Sequence, residues 1–319
     1  MFRVSREDRI LFYSLLPFAS VVIAIFITLF ISLVENSIPI LLREGIDFIV
    51  SSEWRATEGD PESEFYGILS PLVGTLITSI VALVMALPLS ISLALFMLEY
   101  APSSIRFILS NLVEVMVGLP TVIYGLWGLF ILAPLLRDYV MYPLYRYLWL
   151  IPLFSSEPTT PATVFTASVV LAIMIVPFMT RLIVEAYKSI PIKYREAALA
   201  LGFTKFEYCK TMLSLARPAI VAAALLGWGR AAGETVAVCM TIGNSFSLTL
   251  SLFKPGYTIS SLIANQFPNA GFYHYMYSAL YGAALILLLI GLAVNSIAIV
   301  LLTRWREVVH GDRQEGSIR

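Results

Sequence analysis

The chain has 319 residues, of which 59% are hydrophobic and 13% charged, with equal numbers of basic and acidic side chains. Soluble domains carry about 25% charged residues, so this composition, with a mean hydropathy of +0.84, excludes an ordinary soluble fold and points to a membrane protein. Two cysteines, Cys209 and Cys239, are too few for a disulfide framework.

Arg3, Arg6 and Arg9 precede an apolar run from Leu11 to Val34. The run is longer than a signal-peptide core and lacks a small-residue cleavage pattern, so it reads as a retained anchor helix. Further apolar spans cover roughly 70–97, 108–136, 162–186, 218–243 and 276–303, each long enough to cross a bilayer. Of the 21 basic residues, 15 fall in the N-terminus, the 98–107 turn, the 181–217 segment and the tail from Arg304. Only Arg43, Arg55, Arg137, Arg146 and Lys254 lie on the other side, and Arg230 is left within a span. The positive-inside rule therefore places both termini and the 187–217 loop in the cytoplasm. The chain divides into an N-terminus with anchor helix (1–34), an acidic extracytoplasmic segment (35–69), a core (70–303) that contains the 187–217 loop, and a tail (304–319).

The 35–69 segment holds eight carboxylates against two arginines, which suits a solvated loop or a docking surface for an extracellular partner. The 137–161 segment is rich in aromatics (Tyr139, Tyr142, Tyr145, Tyr147, Trp149) and is expected to lie along the outer interface as a loop. Pro88, Pro120 and Pro177 fall within spans and are expected to kink them. His274 and His310 stand apart, with no metal-ligand spacing around them. No phosphate-binding Gly-x-x-x-x-Gly-Lys-Ser/Thr loop occurs. No catalytic or metal residue is assigned, and any ATP-driven work would need an ATPase on another chain.

Ser189-Ile190-Pro191 suggests a helix start. Glu196-Ala197-Ala198-Leu199-Ala200-Leu201 favours helix, and Gly202 suits a left-handed terminus. Thr204 and Glu207 fit a capping box for a second helix. The segment is thus a helix–glycine turn–helix carrying Lys193, Arg195, Lys205 and Lys210. On these residues alone it either follows the lipid headgroups or docks a partner. Arg230 and Glu234, treated as part of one helix spanning 218–243, would stand one turn apart on one face, about 6 Å along the axis. A charge at mid-membrane costs roughly 2.5–3.5 kcal/mol on insertion scales. The pair is either an internal ion pair fastening helices or an anion contact, with Glu234 competing for Arg230 to keep the site shallow. Glu114 is expected to be structural, and Glu99 solvated.

Glu196-Ala197-Ala198 followed by Gly202 resembles the EAA motif of ABC importer permeases, whose loop docks into the ATPase. Met212 stands at that motif's isoleucine, and Ser214-Leu215 stand at its Leu-Pro. GRAAGETVAVCMTIGN (229–244), VEVMVGLPTVIYGLWGLFILAP (113–134), the 65–102 stretch and TISSLIANQF (258–267) are similar to segments of the PstC-type permeases of phosphate-specific ABC importers. The likeness runs over most of 65–303. It implies an all-α, polytopic protein with six transmembrane helices and type I ABC importer permease (MetI-like) architecture, located in the plasma membrane of a prokaryote. It implies that Arg230 and Glu234 serve phosphate passage, and that Glu196, Ala197, Ala198 and Gly202 serve ATPase coupling. The implied partners are a PstA-like second permease, a dimer of ATP-binding subunits that hold ATP and magnesium, an extracytoplasmic phosphate-binding protein, phosphate and the lipid bilayer, with no nucleic acid. The other readings are a permease for an oxyanion such as molybdate or tungstate, and a self-contained ion-coupled anion carrier.

Overall fold

Backbone amides in hydrocarbon have no water to bond, so apolar runs of this length close their hydrogen bonds as helices. The computed structural model describes residues 6–248 and 250–310. In chain order, α1 (Arg6–Glu44) is followed by a single turn, α2 (Asp47–Val50), and by two short strands, β1 (Trp54–Arg55) and β2 (Phe65–Tyr66). The strands pair antiparallel, Trp54 opposite Tyr66. Next come α3 (Leu69–Leu95), which ends in a wider turn at Phe96–Tyr100, and α4 (Ser103–Gly118). Helix α5 (Thr121–Leu148) contains wide turns at Gly128–Leu132 and Arg137–Met141. Then follow α6 (Val164–Lys188), α7 (Ile192–Ala200), α8 (Lys205–Ala232), α9 (Val236–Thr241), α10 (Ile259–Gln266) and α11 (Met276–His310). Helices α1, α3, α5, α6, α8 and α11 are long and apolar enough to cross a membrane, which makes this a multi-pass membrane protein of the expected all-α class.

Three boundaries differ from the sequence reading. Helix α1 runs to Glu44 instead of ending at Val34, because Ser37 and Ile40 are buried and the Ile40 N–H bonds the Ser278 hydroxyl of α11 at 3.0 Å. The expected 108–136 span is broken at Leu119-Pro120, where both residues turn to extended ψ and α4 ends. Proline disfavours helix in the residue before it, and here that effect ends the helix instead of kinking it. The aromatic stretch expected as a loop is helical as far as Leu148, with Tyr139 and Tyr147 pointing outward. Pro88 and Pro177 do sit inside α3 and α6. The tail beyond His310 lies outside the described residues.

Small side chains set the packing at the centre. Ala82 and Ala86 of α3, Ala172 and Ile175 of α6, and Ala222, Ala223 and Gly227 of α8 are buried, which allows the backbones to approach closely. A Cβ on Gly227 would come within 2.7 Å of Met179. Polar bonds then fix the helices against one another. The Ser90 hydroxyl donates to the Val176 carbonyl at 3.2 Å, and the Trp228 indole donates to the Ser79 hydroxyl at 2.8 Å.

At the end opposite the α7–α8 turn, the acidic segment keeps most of its carboxylates exposed (Glu35, Asp47, Glu53, Glu58, Asp60 and Glu62) but is anchored at one point. Glu64 is 3% exposed. Its carboxylate accepts from the Tyr66 hydroxyl (2.9 Å), His274 N–H (2.9 Å) and Tyr275 N–H (3.0 Å). Arg43 donates to the Glu64 carbonyl at 2.8 Å and lies over the Tyr275 ring. These contacts tie α1, the strands and the start of α11 together.

Candidate functional site

The residues singled out from the sequence lie at the two ends of α8. At its start the expected helix–turn–helix is present. Gly202 has φ +71°, and a Cβ there would meet nothing within 4 Å, so the requirement for glycine is conformational. Thr204 and Glu207 form the full capping box. Ser189, by contrast, does not cap α7; it terminates α6, and Pro191 stands at the α7 N-terminus without a side-chain cap. Ala198 is buried against Met212 and Ala216, whereas Glu196 and Ala197 face outward. Ile192, Leu199, Leu201 and Phe206 are also exposed, giving the turn an apolar outer face.

Behind this turn the helix ends are latched. Arg195 of α7 donates to the Tyr187 carbonyl at 2.9 Å and lies over the Tyr187 ring. Glu99 is half-buried and not solvated as expected. Ser214, Leu215 and Pro218 all lie within α8, so the departure from the family's Leu-Pro coincides with an unbroken helix.

The other end of α8 holds the main correction. The apolar stretch 218–243 is not one helix: α8 ends at Ala232 and α9 begins at Val236. Arg230 therefore occupies the last turn of α8, and Glu234 lies in the break. Among the described residues they form no ion pair. The Arg230 guanidinium lies over Phe178 of α6, 5.3 Å from the ring centre, and its side chain is exposed. The Glu234 carboxylate accepts instead from the Ala237 N–H at 3.5 Å, and its carbonyl accepts from the Ser260 hydroxyl at 2.7 Å. The break is held from a distance. Thr75 accepts from the Ile259 N–H (2.9 Å), Cys239 donates to Asn265 (3.3 Å), and Asn244 donates to the Cys239 carbonyl (2.7 Å). Gly243, at φ +90°, and Asn244, at φ 50°, turn the chain out of α9. An apolar cavity of about 340 Å³, lined by Gly229 and Gly233 but not by Arg230, opens between α8 and α11, with Asn295 against Gly229. Phe178, Ser260 and Asn265 escaped the sequence reading as individual contacts, since only the fold brings them to the break. Among the described residues no group of three or more His, Cys, Asp or Glu could hold a metal.

Six membrane-length helices, with exposed Arg230 at one end of a broken span and a small helical turn at the other, make a multi-pass membrane protein, and comparison with known proteins defines its class. The chain belongs to the family of binding-protein-dependent transport system inner membrane components, whose model matches residues 86–307. It is 48% identical over 294 residues to a probable phosphate transport system permease protein PstC of Methanocaldococcus jannaschii, covering 92% of this chain and 93% of that one. It is 36% identical over 313 residues to the phosphate transport system permease protein PstC of Xylella fastidiosa (96% and 92% covered), and 38% identical over 291 residues to that of Pasteurella multocida (90% and 89%). A solved chain of the MetNI methionine ABC transporter in an inward-facing conformation covers 74% of this chain, with 20% identity and a TM-score of 0.49.

Proposed function

We propose that this chain is the permease subunit of an ATP-driven importer that moves inorganic phosphate into the cell, and that Arg230 meets the anion in passage. The observation that carries the reading is the Arg230 guanidinium itself. It lies in a span long enough to cross a membrane, it is exposed on the single chain, and no carboxylate among the described residues pairs with it. A cation in that position is tolerated where it lines a polar path. Guanidinium keeps its charge when desolvated and presents a fork of donors that matches phosphate oxygens. The relatives named for phosphate transport support the choice of anion.

Glu234 acts from the break. With its carboxylate on the Ala237 N–H it leaves Arg230 free for the anion. When the break rearranges it competes for Arg230, which keeps binding weak enough for release. The Glu196-Ala197-Ala198–Gly202 turn docks an ATPase dimer through its exposed apolar face, and that dimer carries the ATP and magnesium. A PstA-like second permease covers the open side of the pathway, and an extracytoplasmic binding protein delivers phosphate. Both termini and the α7–α8 turn are cytoplasmic on the positive-inside argument.

The test is phosphate uptake by the assembled complex. Arg230→Gln is expected to abolish uptake with assembly intact, and Arg230→Lys to restore only part of it, since a point charge lacks the bidentate fork. Normal uptake by a correctly inserted Arg230→Gln protein would sink the pathway role. Uptake of molybdate or tungstate that phosphate does not reduce, with no uptake of phosphate itself, would reassign the anion.

A further inference from the structure

The arrangement expected at Arg230 and Glu234, an arginine with a glutamate one turn on along a single helix, is present elsewhere. On α6, Arg181 and Glu185 form an i,i+4 ion pair at 3.2 Å with side chains 56% and 61% exposed. Arg181 lies seven residues, about 10 Å, inside the Lys188 end of its span. An exposed ion pair one to two turns from the cytoplasmic end of a span reaches toward the water interface or faces a polar path.

The pair borders a crevice of about 160 Å³ between α4 and α6. Ser110 and Glu114 of α4 form one wall, and Thr180, Arg181 and Lys188 line the other. Thr180 is 0% exposed, and its hydroxyl has no hydrogen-bond partner. A buried hydroxyl left without a partner costs about 1–3 kcal/mol, so a ligand oxygen at this point would remove a penalty. Phe178, which carries the Arg230 guanidinium, is three residues before Arg181 and on the same face of α6.

We propose that this crevice binds a phosphate group as a second station, with Arg181 as the fork, the Thr180 hydroxyl and Lys188 as further donors, and Glu185 as the carboxylate that displaces the anion. The inference rests on the reading of Arg230 as a phosphate contact. Two sources share this chemistry: the transported ion and the headgroup of a lipid. The transported ion is the occupant favoured by the site, because Glu185 and Glu114 weaken retention and the crevice lies on α6, the helix that also carries Phe178 under Arg230.

The experiment is phosphate uptake by the full complex in vesicles of a phosphate-free glycolipid, digalactosyldiacylglycerol, alone, and of that lipid with phosphatidylglycerol. Arg181→Gln is expected to lower uptake at least about tenfold in both lipids, the loss of one charge-assisted contact, with Arg181→Lys recovering part. Glu185→Gln, which frees Arg181, is expected to lower both KM and kcat, the signature of an anion held too tightly. This second variant probes the crevice even if Arg181→Gln fails to assemble. Unchanged KM and kcat in Glu185→Gln would overturn the proposal, as would full uptake by Arg181→Gln. An Arg181→Gln defect confined to vesicles with phosphatidylglycerol would assign the crevice to a lipid and overturn it too. If the wild-type complex takes up no phosphate at all, the proposed function fails first; if it does and Arg181→Gln matches it, only the second station fails.

Discussion

Tyr66 and Glu64 show how single residues brace the end opposite the coupling turn. Burial, followed by the hydrogen bond to the Glu64 carboxylate, raises the Tyr66 hydroxyl above its ordinary value of 10.0. It thus remains a donor in the folded protein after a solvated phenol has lost its proton. A folded-state value above the unfolded one means that the stabilisation is complete below about pH 10 and is lost as pH rises beyond it, since the unfolded chain then binds fewer protons. The wild type is expected to lose thermal stability between roughly pH 10 and 11 more steeply than Tyr66→Phe, which has no proton to lose. Melting temperatures of the detergent-solubilised protein over that range would show parallel slopes if the argument is wrong. Glu64→Gln has a different consequence at neutral pH. An amide can turn only one oxygen toward three donors, so one or more of the Tyr66, His274 and Tyr275 groups loses its acceptor. A cost of about 1–3 kcal/mol follows, visible as a lower melting temperature.

At the scale of elements, the helix–glycine turn–helix from Ile192 into α8 was legible because its signals are local. Gly202 is the position at which only the backbone matters: nothing lies within 4 Å of the Cβ site, yet φ is +71°. Gly202→Val is expected to cost about 1–2 kcal/mol of left-handed strain and to weaken co-purification of the ATPase. Gly202→Asn, which tolerates that region, retains more of it. Equal ATPase recovery from both variants would show that the turn geometry does not matter to docking. The break after Ala232 was not legible, because VAVCMT continues the apolar run with no proline. The bonds that hold the break open come from Ser260, Asn265 and Thr75, distant in sequence. Likewise Glu35, Asn36 and Ser37 read as the end of an anchor, until α11 supplies the surface against which Ser37 and Ile40 are buried. The charges of the site were visible as residues; their separation into a helix end and a break was not.

For the whole molecule, the important fact is that α8 is continuous from the capping box to Arg230. Its 28 residues span about 42 Å, and the Ser214-Leu215 pair leaves the rod uninterrupted where relatives in the family are expected to carry Leu-Pro. Trp305 of α11 reinforces it, donating to the Leu215 carbonyl at 2.8 Å. If the α7–α8 turn docks an ATPase as proposed, its motion is expected to reach Arg230 along this one helix, with Pro218, which lacks a backbone donor, as its softest point. Its companion α6 is tied to α7 through the Arg195–Tyr187 hydrogen bond and is expected to follow it. Ser214 and Arg217 lie on the exposed side of the rod, so replacing both with glycine removes no core packing while weakening the helix by about 2 kcal/mol relative to alanine. The Ser214→Gly/Arg217→Gly protein is expected to retain ATPase docking and nucleotide hydrolysis, while phosphate moved per nucleotide falls several-fold. Ser214→Ala/Arg217→Ala, which loses the same side chains and keeps the rod stiff, should hold the wild-type ratio. Transport and hydrolysis measured together in the reconstituted complex decide it: equal ratios in the two double variants would mean that the stiffness of α8 does not carry the coupling.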